Sequence, residues 1–398
     1  MKQAITTYKF LLLPTSHQKT VILKSIDAAR FLYNRLLHTR KCAWEAYGVP
    51  FSKYDMQGLI PSLKKRYPFL NDKLYGQVAQ DVNNRLDTAY QKFFTGGGYP
   101  HWAKKKIYNS ITYPQRCEFK DGLLKLPQLG MIRFKDTRGL DDTIKIRQCN
   151  ISYDYTTQQF FVCITINRFF QELPHTEKTI GIDMGVAQFC TCSDGKPYEH
   201  KAYYTKCLKK LRVKQRQLSR QNKFGKNWKK TKKQISVLHK KVANQRVDYL
   251  HKISTELINN NQVIVREDLK VKNMTSSAKG TVESPGKNIR QKSGLNRSML
   301  DTGIGMFFSM LDYKAVRAGR TIEKVNPAYT SQTCSDCGAV DKLSRKSQSK
   351  FVCTLCGHTE NADVNAAKNI WKRASSIGDN VIHQNVRSLR ITHQNLVV

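Results

Sequence analysis

Thr179-Ile180-Gly181-Ile182-Asp183-Met184-Gly185 is the stretch that decides the fold, because a short apolar run bounded by turn residues is typical of a buried strand. The run ends in an acid that lies between glycines. A second apolar run, Gln262 to Leu269, carries Glu267 at the same relative place. Since the ends of adjacent strands bring their side chains to one sheet edge, we expect Asp183 and Glu267 to lie close together.

A third acid, Asp363, opens a predicted helix that continues through Ile370. Three carboxylates gathered at one edge repel one another unless cations lie between them, and two magnesium ions about 4 Å apart are the usual solution in phosphodiester cleavage. Asp183, Glu267 and Asp363 would then be the metal ligands and the catalytic residues. Each acid taken singly is more often a helix cap or a turn residue, so the hypothesis depends on all three together.

Four cysteines near the C-terminus have the spacing C-x2-C-x15-C-x2-C, which is typical of a zinc site. Cys334, Cys337, Cys353 and Cys356 therefore predict one structural zinc ion. The spacing alone does not distinguish a zinc site that helps to bind nucleic acid from one that only stabilises the fold. The other seven cysteines are expected to be small buried apolar side chains: Cys42, Cys117, Cys149, Cys163, Cys190, Cys192 and Cys207.

The charge of the chain is the strongest statement about its partner. The formal net charge is +38, from 68 Lys and Arg against 30 Asp and Glu. Such an excess repels itself unless a polyanion neutralises it, and nucleic acid is the natural counterion. The alternative is a solvated cationic surface. No secretory signal and no apolar run near 18 residues is visible, so we expect an intracellular protein without a membrane partner.

The N-terminal part alternates between strand and helix patterns. Ile5 to Leu13 predicts a strand, Gln18 to Leu37 an amphipathic helix, and Tyr75 to Phe94 a second helix that Gly96-Gly97-Gly98 ends. From Tyr108 to Asn167 short alternating runs predict an antiparallel sheet or small barrel, which we expect the first strand to complete. The predicted strands are Ser110 to Tyr113, Leu123 to Leu126, Met131 to Phe134, Thr143 to Arg147, Asn150 to Asp154 and Phe160 to Asn167.

The segment from Lys201 to Arg246 holds seventeen Lys or Arg and no Asp or Glu. Its apolar stripe predicts two helices broken near Phe224-Gly225, with one face packed and the other basic. A face of a single charge sign favours tracking of phosphates over a merely solvated surface. The candidate contacts are Lys209, Lys210, Arg212, Lys214 and Arg216.

The next segments complete this part of the chain. Val271 to Asn296 is rich in Ser, Gly, Asn and Lys and predicts a mobile loop. Met299 to Ala318 then predicts a helix and Thr321 to Val325 a strand, before the cysteine unit.

Several strings together resemble one family. Four segments are similar to the TnpB family of transposon-encoded, RNA-guided DNA endonucleases. They are Gly181 to Gly185, Val265 to Leu269, Val325 to Gly338 with its P-x-x-T-S-Q-x-C-S-x-C-G pattern, and Cys353 to Ile370. That family is related to the type V CRISPR effectors. The resemblance is close from about Gly181 to Trp371 and looser but collinear before it.

The resemblance implies a multidomain α/β fold. Residues 1–14 and 95–175 would form a wedge β-barrel, interrupted by a helical recognition insert at 15–94. Residues 176–326 and 358–375 would form a RuvC nuclease domain, related to RNase H, that includes the basic helices at 201–258. A zinc ribbon would occupy 327–357, and 376–398 would be a flexible C-terminal tail.

The resemblance also implies an activity. A guide RNA from the transposon end would pair with target double-stranded DNA beside a short flanking motif, and two Mg²⁺ ions at Asp183, Glu267 and Asp363 would support cleavage. The protein would be a prokaryotic, nucleoid-associated, cytoplasmic nuclease. The alternatives are a small type V CRISPR effector, a nuclease-dead RNA-guided repressor, and a strand-transfer transposase that needs no guide.

Two departures and one further hypothesis complete the comparison. Asn361-Ala362-Asp363 stands where family members commonly have Asp-Arg-Asp, and His101-Trp102 stands where Arg-Phe is usual. In the TnpB family, reading of the flanking duplex is attributed to the N-terminal barrel and helices. Gln80 and Asn84 lie on the polar face of the second helix and could pair with adenine in a major groove, or could be ordinary solvent-facing residues.

Overall fold

A computed structural model describes residues 2–140, 143–281 and 283–375. The chain divides into two compact units, 1–170 and 171–398. The predicted tail, 376–398, lies outside the described residues. None of the described helices combines the length and the apolar character that crossing a membrane requires.

In its described residues, the first unit consists of one antiparallel sheet and four helices. Its elements are β1 (Lys2–Leu13), α1 (Ser16–Tyr47), α2 (Lys53–Arg66), α3 (Phe69–Lys73), α4 (Gly76–Phe94), β2 (Ser110–Tyr113), β3 (Glu118–Lys120), β4 (Leu123–Leu126), β5 (Gly130–Lys135), β6 (Ile146–Asp154) and β7 (Gln159–Phe170).

The seven strands lie in the order β2-β6-β7-β1-β5-β4-β3. The first strand of the chain therefore takes a central place, with Phe10 opposite Val162 of β7 and Leu12 opposite Phe134 of β5. This confirms that β1 joins the sheet across the helical segment. The apolar residues of the sheet and of the helices form one core, because α1 and α4 turn their buried stripes towards the same interior.

The second unit carries a mixed sheet with helices. Its elements are β8 (Thr179–Met184), β9 (Gln188–Cys192), β10 (Pro197–Glu199), α5 (Tyr203–Ser219), α6 (Lys226–Asn260), β11 (Val263–Glu267), α7 (Val271–Met274), α8 (Ile289–Thr302), α9 (Ile304–Ala318), β12 (Thr321–Val325), β13 (Lys350–Val352), β14 (Thr359–Asn361) and α10 (Ala362–Ser375).

Five of these strands form a sheet in the order β10-β9-β8-β11-β12. β11 is parallel to both β8 and β12, whereas β9 is antiparallel to β8. Successive residues of a strand face opposite sides of the sheet, and both sides of this sheet pack against helices. Ile264 packs with α6 and α9, whereas Val265 packs with α10. The sheet is thus covered on both faces, which explains why its strands read as continuous apolar runs.

Several predictions need correction. The strands predicted at 143–147 and 150–154 are one strand, β6, and α1 continues to Tyr47, ten residues beyond the predicted end. The predicted loop at 271–296 contains α7 and the start of α8. Gly303, at φ +75°, separates α8 from α9 where one helix was predicted. Cys42 is exposed and Cys207 half-buried, whereas both were expected to be buried.

Candidate active site and metal centre

The three acids of the sequence hypothesis line one cavity of about 290 Å³. Asp183 is the penultimate residue of strand β8, Glu267 ends the parallel neighbour β11, and Asp363 is in the first turn of α10. The pairing of Ile182 with Arg266 brings the two strands to their ends at the same sheet edge. The structure therefore brings all three carboxylates together, although they come from segments far apart in the chain.

Gly181 is what allows α10 to reach this edge. A side chain at position 181 would place its Cβ 2.4 Å from the carbonyl oxygen of Ala367 and 2.8 Å from the Cβ of Trp371. The absence of a Cβ lets the helix lie directly on β8. Asn361 then caps the helix by accepting hydrogen bonds from the backbone N–H groups of Asp363 and Val364, at 2.9 and 3.3 Å.

The residue between the cap and the acid is enclosed. Ala362 is completely buried, in a small cluster with Cys334, Phe351 and Cys353. An arginine, usual at this position in the similar family, would not fit in that cluster without displacing it. The departure from Asp-Arg-Asp is therefore matched by local packing: Asn361 supplies the cap and Ala362 supplies a small apolar side chain.

The electrostatics of the cavity favour a positive occupant. Burial, together with the negative charges of Glu267 and Asp363, raises the pKa of Asp183 from 3.8 to about 7. Burial also raises the pKa of Glu267 and that of Asp363. A cation in the cavity would reverse these shifts, because it stabilises the ionised form of each acid.

Arg345 is a cavity residue that the sequence analysis missed. Its guanidinium Nη2 lies 3.4 Å from Oδ1 of Asp363, and both side chains are half-buried. This charge lowers the pKa of Asp183 and that of Asp363, against the effect of burial. The residue belongs to the loop between the two cysteine pairs, where Lys342 and Lys346 are its neighbours. No local pattern distinguishes it from them, because only the path of the loop turns it into the cavity.

Glu267 is held by a hydroxyl that the sequence analysis also missed. Buried Thr330 donates from Oγ1 to Oε1 of Glu267 at 2.5 Å, and this hydrogen bond lowers the pKa of that carboxyl. Asn369 of α10 donates from Nδ2 to the carbonyl oxygen of Thr330 at 3.0 Å. The helix that carries Asp363 thus also fixes the loop that orients Glu267.

The four cysteines form a cluster with the geometry of a metal site. Among the described residues, theirs is the one set of three or more His, Cys, Asp or Glu side chains whose ligand atoms all lie within 4.8 Å of one another. The Sγ atoms of Cys334 and Cys356 are 3.7 Å apart, and those of Cys337 and Cys353 are 3.6 Å apart. Tetrahedral zinc with Zn–S bonds of about 2.3 Å separates its sulfurs by about 3.8 Å, so the donor set fits zinc.

The three carboxylates of the cavity do not form such a set among the described residues.

The predicted basic helices are α5 and α6, which contact each other. Leu211 of α5 is buried, while Lys209, Lys210, Arg212 and Arg216 are exposed. Lys214 is half-buried and donates to Oε1 of Gln217. None of the five candidate cations forms an ion pair with a described residue, so their charges are available to an external anion.

The predicted base-reading residues of α4 differ in position. Gln80 is exposed and lines a cavity of about 720 Å³ with Tyr54, Lys64 and Lys65 of α2. Asn84 is half-buried and is not among the residues that line it. The structure therefore places Gln80, but not Asn84, at a concave surface.

Three protein-family models match this chain. One described as "Probable transposase" covers residues 150–278, and one described as "Cas12f1-like, TNB domain" covers residues 305–370. A third, described as "Helix-turn-helix domain", covers residues 1–48. In this structure residues 2–47 form strand β1 followed by the single long helix α1, so the description does not match the observed elements.

Curated relatives extend the match to nearly the whole chain. The "Putative RNA-guided DNA endonuclease InsQ" of Escherichia coli is 37% identical over 374 residues, which is 92% of this chain and 91% of that protein. A "Putative RNA-guided DNA endonuclease" of Streptomyces pristinaespiralis is 27% identical over 391 residues, 96% of this chain and 93% of the relative. The "CRISPR-associated endodeoxyribonuclease Cas12f1" of Sulfoacidibacillus thermotolerans is 52% identical, but over 58 residues, 15% of this chain and 14% of that one.

Solved structures are more distant. A Cas12f1–sgRNA–target DNA complex superposes with a TM-score of 0.34 at 18% identity, covering 93% of this chain and all of that one. The mini-RNA-guided endonuclease CRISPR-Cas_phi3 superposes with a TM-score of 0.46 at 11% identity, covering 94% and 93%. The family assignment depends instead on the curated relatives and on the large share of both chains that the matches cover. This chain belongs to the TnpB family.

Proposed function

We propose that this protein is an RNA-guided DNA endonuclease, associated with a transposable element, that hydrolyses phosphodiester bonds at the cavity of Asp183, Glu267 and Asp363. The observation that carries the proposal is the convergence of three acids, from two parallel strand ends and one helix start, on a single open cavity. The match to InsQ over nine-tenths of both chains supports the RNA-guided class.

The carboxylates would hold two Mg²⁺ ions, because hard oxygen donors are the ligands that Mg²⁺ prefers. When bound, the ions supply Lewis acidity for the attacking water and for the leaving 3′ oxygen. The protein's own residues set the geometry: Asp183 and Glu267 present oxygens from the rigid sheet, and Thr330 keeps one oxygen of Glu267 engaged. Arg345 offers a positive charge beside Asp363, where it can contact a non-bridging oxygen of the scissile phosphate.

The proposed nuclease domain is of the RuvC type, related to RNase H. The order β10-β9-β8-β11-β12, with the antiparallel hairpin on one side and two parallel strands on the other, supports this assignment. Residues 176–326 and 358–375 would form it. The strands of the first unit would form the wedge at 1–14 and 95–175, and its four helices would form the recognition insert at 15–94. The positions of these elements in the chain support both assignments.

One structural zinc ion would occupy the four thiolates of the ribbon, residues 327–357. Its two hairpin strands, β13 and β14, are only three residues each, and a small cluster around Phe351 is their core. Such a unit depends on the metal for its fold. Because the ribbon carries Arg345 into the cavity, zinc would also act on the nuclease site through this side chain.

The nucleic-acid partners would be a guide RNA and a target DNA duplex. Base pairing between them supplies specificity, while the protein supplies charge and shape. The exposed cations of α5 are candidates for the phosphate contacts, and Gln80 with Tyr54 is a candidate reader of the flanking duplex.

The test combines sequencing with cleavage. RNA that copurifies with the protein is sequenced, the guide is reprogrammed to a plasmid with randomised flanks, and cutting is followed with Mg²⁺. Asp183→Ala, Glu267→Ala and Asp363→Ala should each abolish cutting while guided DNA binding persists. Cutting that needs no RNA would point to a transposase, and guided binding without cutting by the parent protein would point to a repressor.

A further inference from the structure

The helical part of the first unit exposes a cluster of aromatic side chains that its core does not use. Phe94 is 72% exposed, Trp44 61% and Trp102 50%, and Phe93 and Tyr99 are about one-third exposed or more. We call these five residues the aromatic shelf. Exposed aromatic area of this extent is unfavourable in water, so a shared location calls for an explanation by binding.

The ends of α1 and α4, which carry Trp44 and Phe94, come level because the two helices run in the same direction. Ser25 of α1 donates to the carbonyl oxygen of Lys73, just before α4 begins, at 2.7 Å. Further along, the guanidinium of Arg40 lies 3.6 Å from Asp87 and 4.0 Å from the ring centre of Tyr90, both in α4. The last turn of α1, with Trp44, therefore comes level with the last turn of α4.

The segment after α4 adds the remaining rings. Tyr99 packs edge-on to Phe93 with ring centres 5.2 Å apart, and Trp102 lies 6.1 Å from the ring of His38 in α1. Gly97 makes this return possible, since a Cβ there would lie 2.6 Å from the carbonyl oxygen of Lys92. The chain folds tightly over the helix end and leaves the Phe94 ring in solvent.

Cations lie near the helix ends that carry Trp44 and Phe94. Lys92 of α4 is exposed and has no acidic partner among the described residues, and Lys41, three residues before Trp44 in α1, pairs with Glu45. A second copy of this chain would bring the same positive rim against itself, in a protein of net charge +38. Charge complementarity favours a polyanion, and aromatic rings among cations are the pattern that binds the bases and phosphates of single strands.

We propose that the aromatic shelf is a stacking site for unpaired nucleobases of the bound nucleic acid. The proposal rests on the proposed function, which supplies unpaired strands whenever a guide displaces one strand of a duplex. Rings of Trp44 and Phe94 would stack on bases irrespective of sequence, and Lys41 and Lys92 would contact the phosphates between them.

The experiment uses the full-length protein and a short single-stranded DNA that carries 2-aminopurine, whose fluorescence falls when it stacks on an aromatic ring. Trp44→Ala and Phe94→Ala should each weaken binding of this probe roughly ten- to hundredfold and reduce the quenching. Trp44→Phe should retain most of the affinity, because a flat ring remains. Phe169→Ala, at an equally exposed ring of β7, is the matched control and should bind as the parent does.

The salt dependence separates stacking from charge. The slope of log affinity against log salt should stay unchanged in the alanine variants, because it counts phosphate contacts. Unchanged affinity in both variants, or a flatter slope, would overturn the proposal. So would a parent dimer that Trp44→Ala converts to monomer. Guided plasmid cleavage, measured in parallel, reports on the proposed function separately: a parent that cuts under guide direction but does not quench the probe would refute the stacking site alone.

Discussion

Replacing Asp183 by Asn should stabilise the metal-free protein while abolishing its cleavage activity. Burial and the neighbouring acids raise the pKa of Asp183 to about 7, against 3.8 for an ordinary aspartate, so the folded state binds this proton more tightly than the unfolded chain does. The stability that the bound proton gives is full below about pH 4 and is lost as the pH rises through 7. At pH 8 the folded parent must carry an ionised carboxylate in a site that disfavours it.

The size of the effect follows from the two pKa values. The difference between 3.8 and about 7 corresponds to about 4 kcal/mol. This is an upper value, since the carboxylate opens onto a cavity where water screens its charge. Asparagine has nearly the same shape and no charge. In Mg²⁺-free buffer at pH 8, Asp183→Asn should therefore unfold at a higher temperature than the parent, by up to roughly 10 °C for a unit of this size.

The assay is thermal unfolding of the full-length protein at pH 5 and pH 8, without and with Mg²⁺. The gain should shrink at pH 5, and saturating Mg²⁺ should reverse the order at pH 8, because the ions stabilise only the parent. Asp268→Asn is the matched control, at an exposed acid next to Glu267, and should change little. If Asp183→Asn unfolds at or below the temperature of the parent at pH 8 without Mg²⁺, the electrostatic reasoning is wrong.

Four further predictions concern the same unit. Thr330→Val should weaken Mn²⁺ binding, followed by electron paramagnetic resonance, several-fold because Glu267 loses its hydroxyl partner, whereas Thr330→Ser should retain it; equal binding in both would leave the hydroxyl without a role. Arg345→Gln should slow guided cleavage by about 10²-fold or more with DNA binding preserved, and a normal rate in single-turnover kinetics would remove this side chain from the site. Elemental analysis should find about one zinc per chain, and a zinc-free preparation that is folded and active would contradict the structural role of the metal. Changing five cations of α5 to Gln should reduce the slope of log affinity against log salt for nucleic-acid binding by about 0.7 to 0.9 for each lost phosphate contact. An unchanged slope would show that this face is only solvated. The five residues are Lys209, Lys210, Arg212, Lys214 and Arg216.

The sequence by itself determined the local elements and the identity of the candidate ligands. The buried strands at Thr179 and Val263 could be recognised because a strand covered on both faces is apolar throughout. The four cysteines could be recognised because two C-x2-C pairs bring their thiolates around one ion with little help from the rest of the fold.

Short-range sequence patterns failed to predict features that depend on contacts between residues far apart in the chain. The break between α8 and α9 falls at Gly303, where a Cβ would lie 3.0 Å from Cδ of Arg246 in α6, a contact that no window of a few turns contains. Gly181 reads as an ordinary glycine in a strand, yet it is the point where α10 lies on the sheet.

The tertiary structure alone decided which other groups reach the acids. Thr330 and Arg345 come from a proline-containing loop and from the cysteine unit. Thr330 lies within the P-x-x-T-S-Q string that supports the resemblance, but nothing in the local sequence around either residue indicates contact with the acids. Their places depend on α10, whose Asn369 holds the Thr330 loop while its first turn presents Asp363 to Arg345. Hydrogen-bond partners that are dozens of residues apart become neighbours only when the helix packs on β8. The physical reason is that a local pattern records which face of an element is buried, whereas a site is made by the loops that the buried faces bring together.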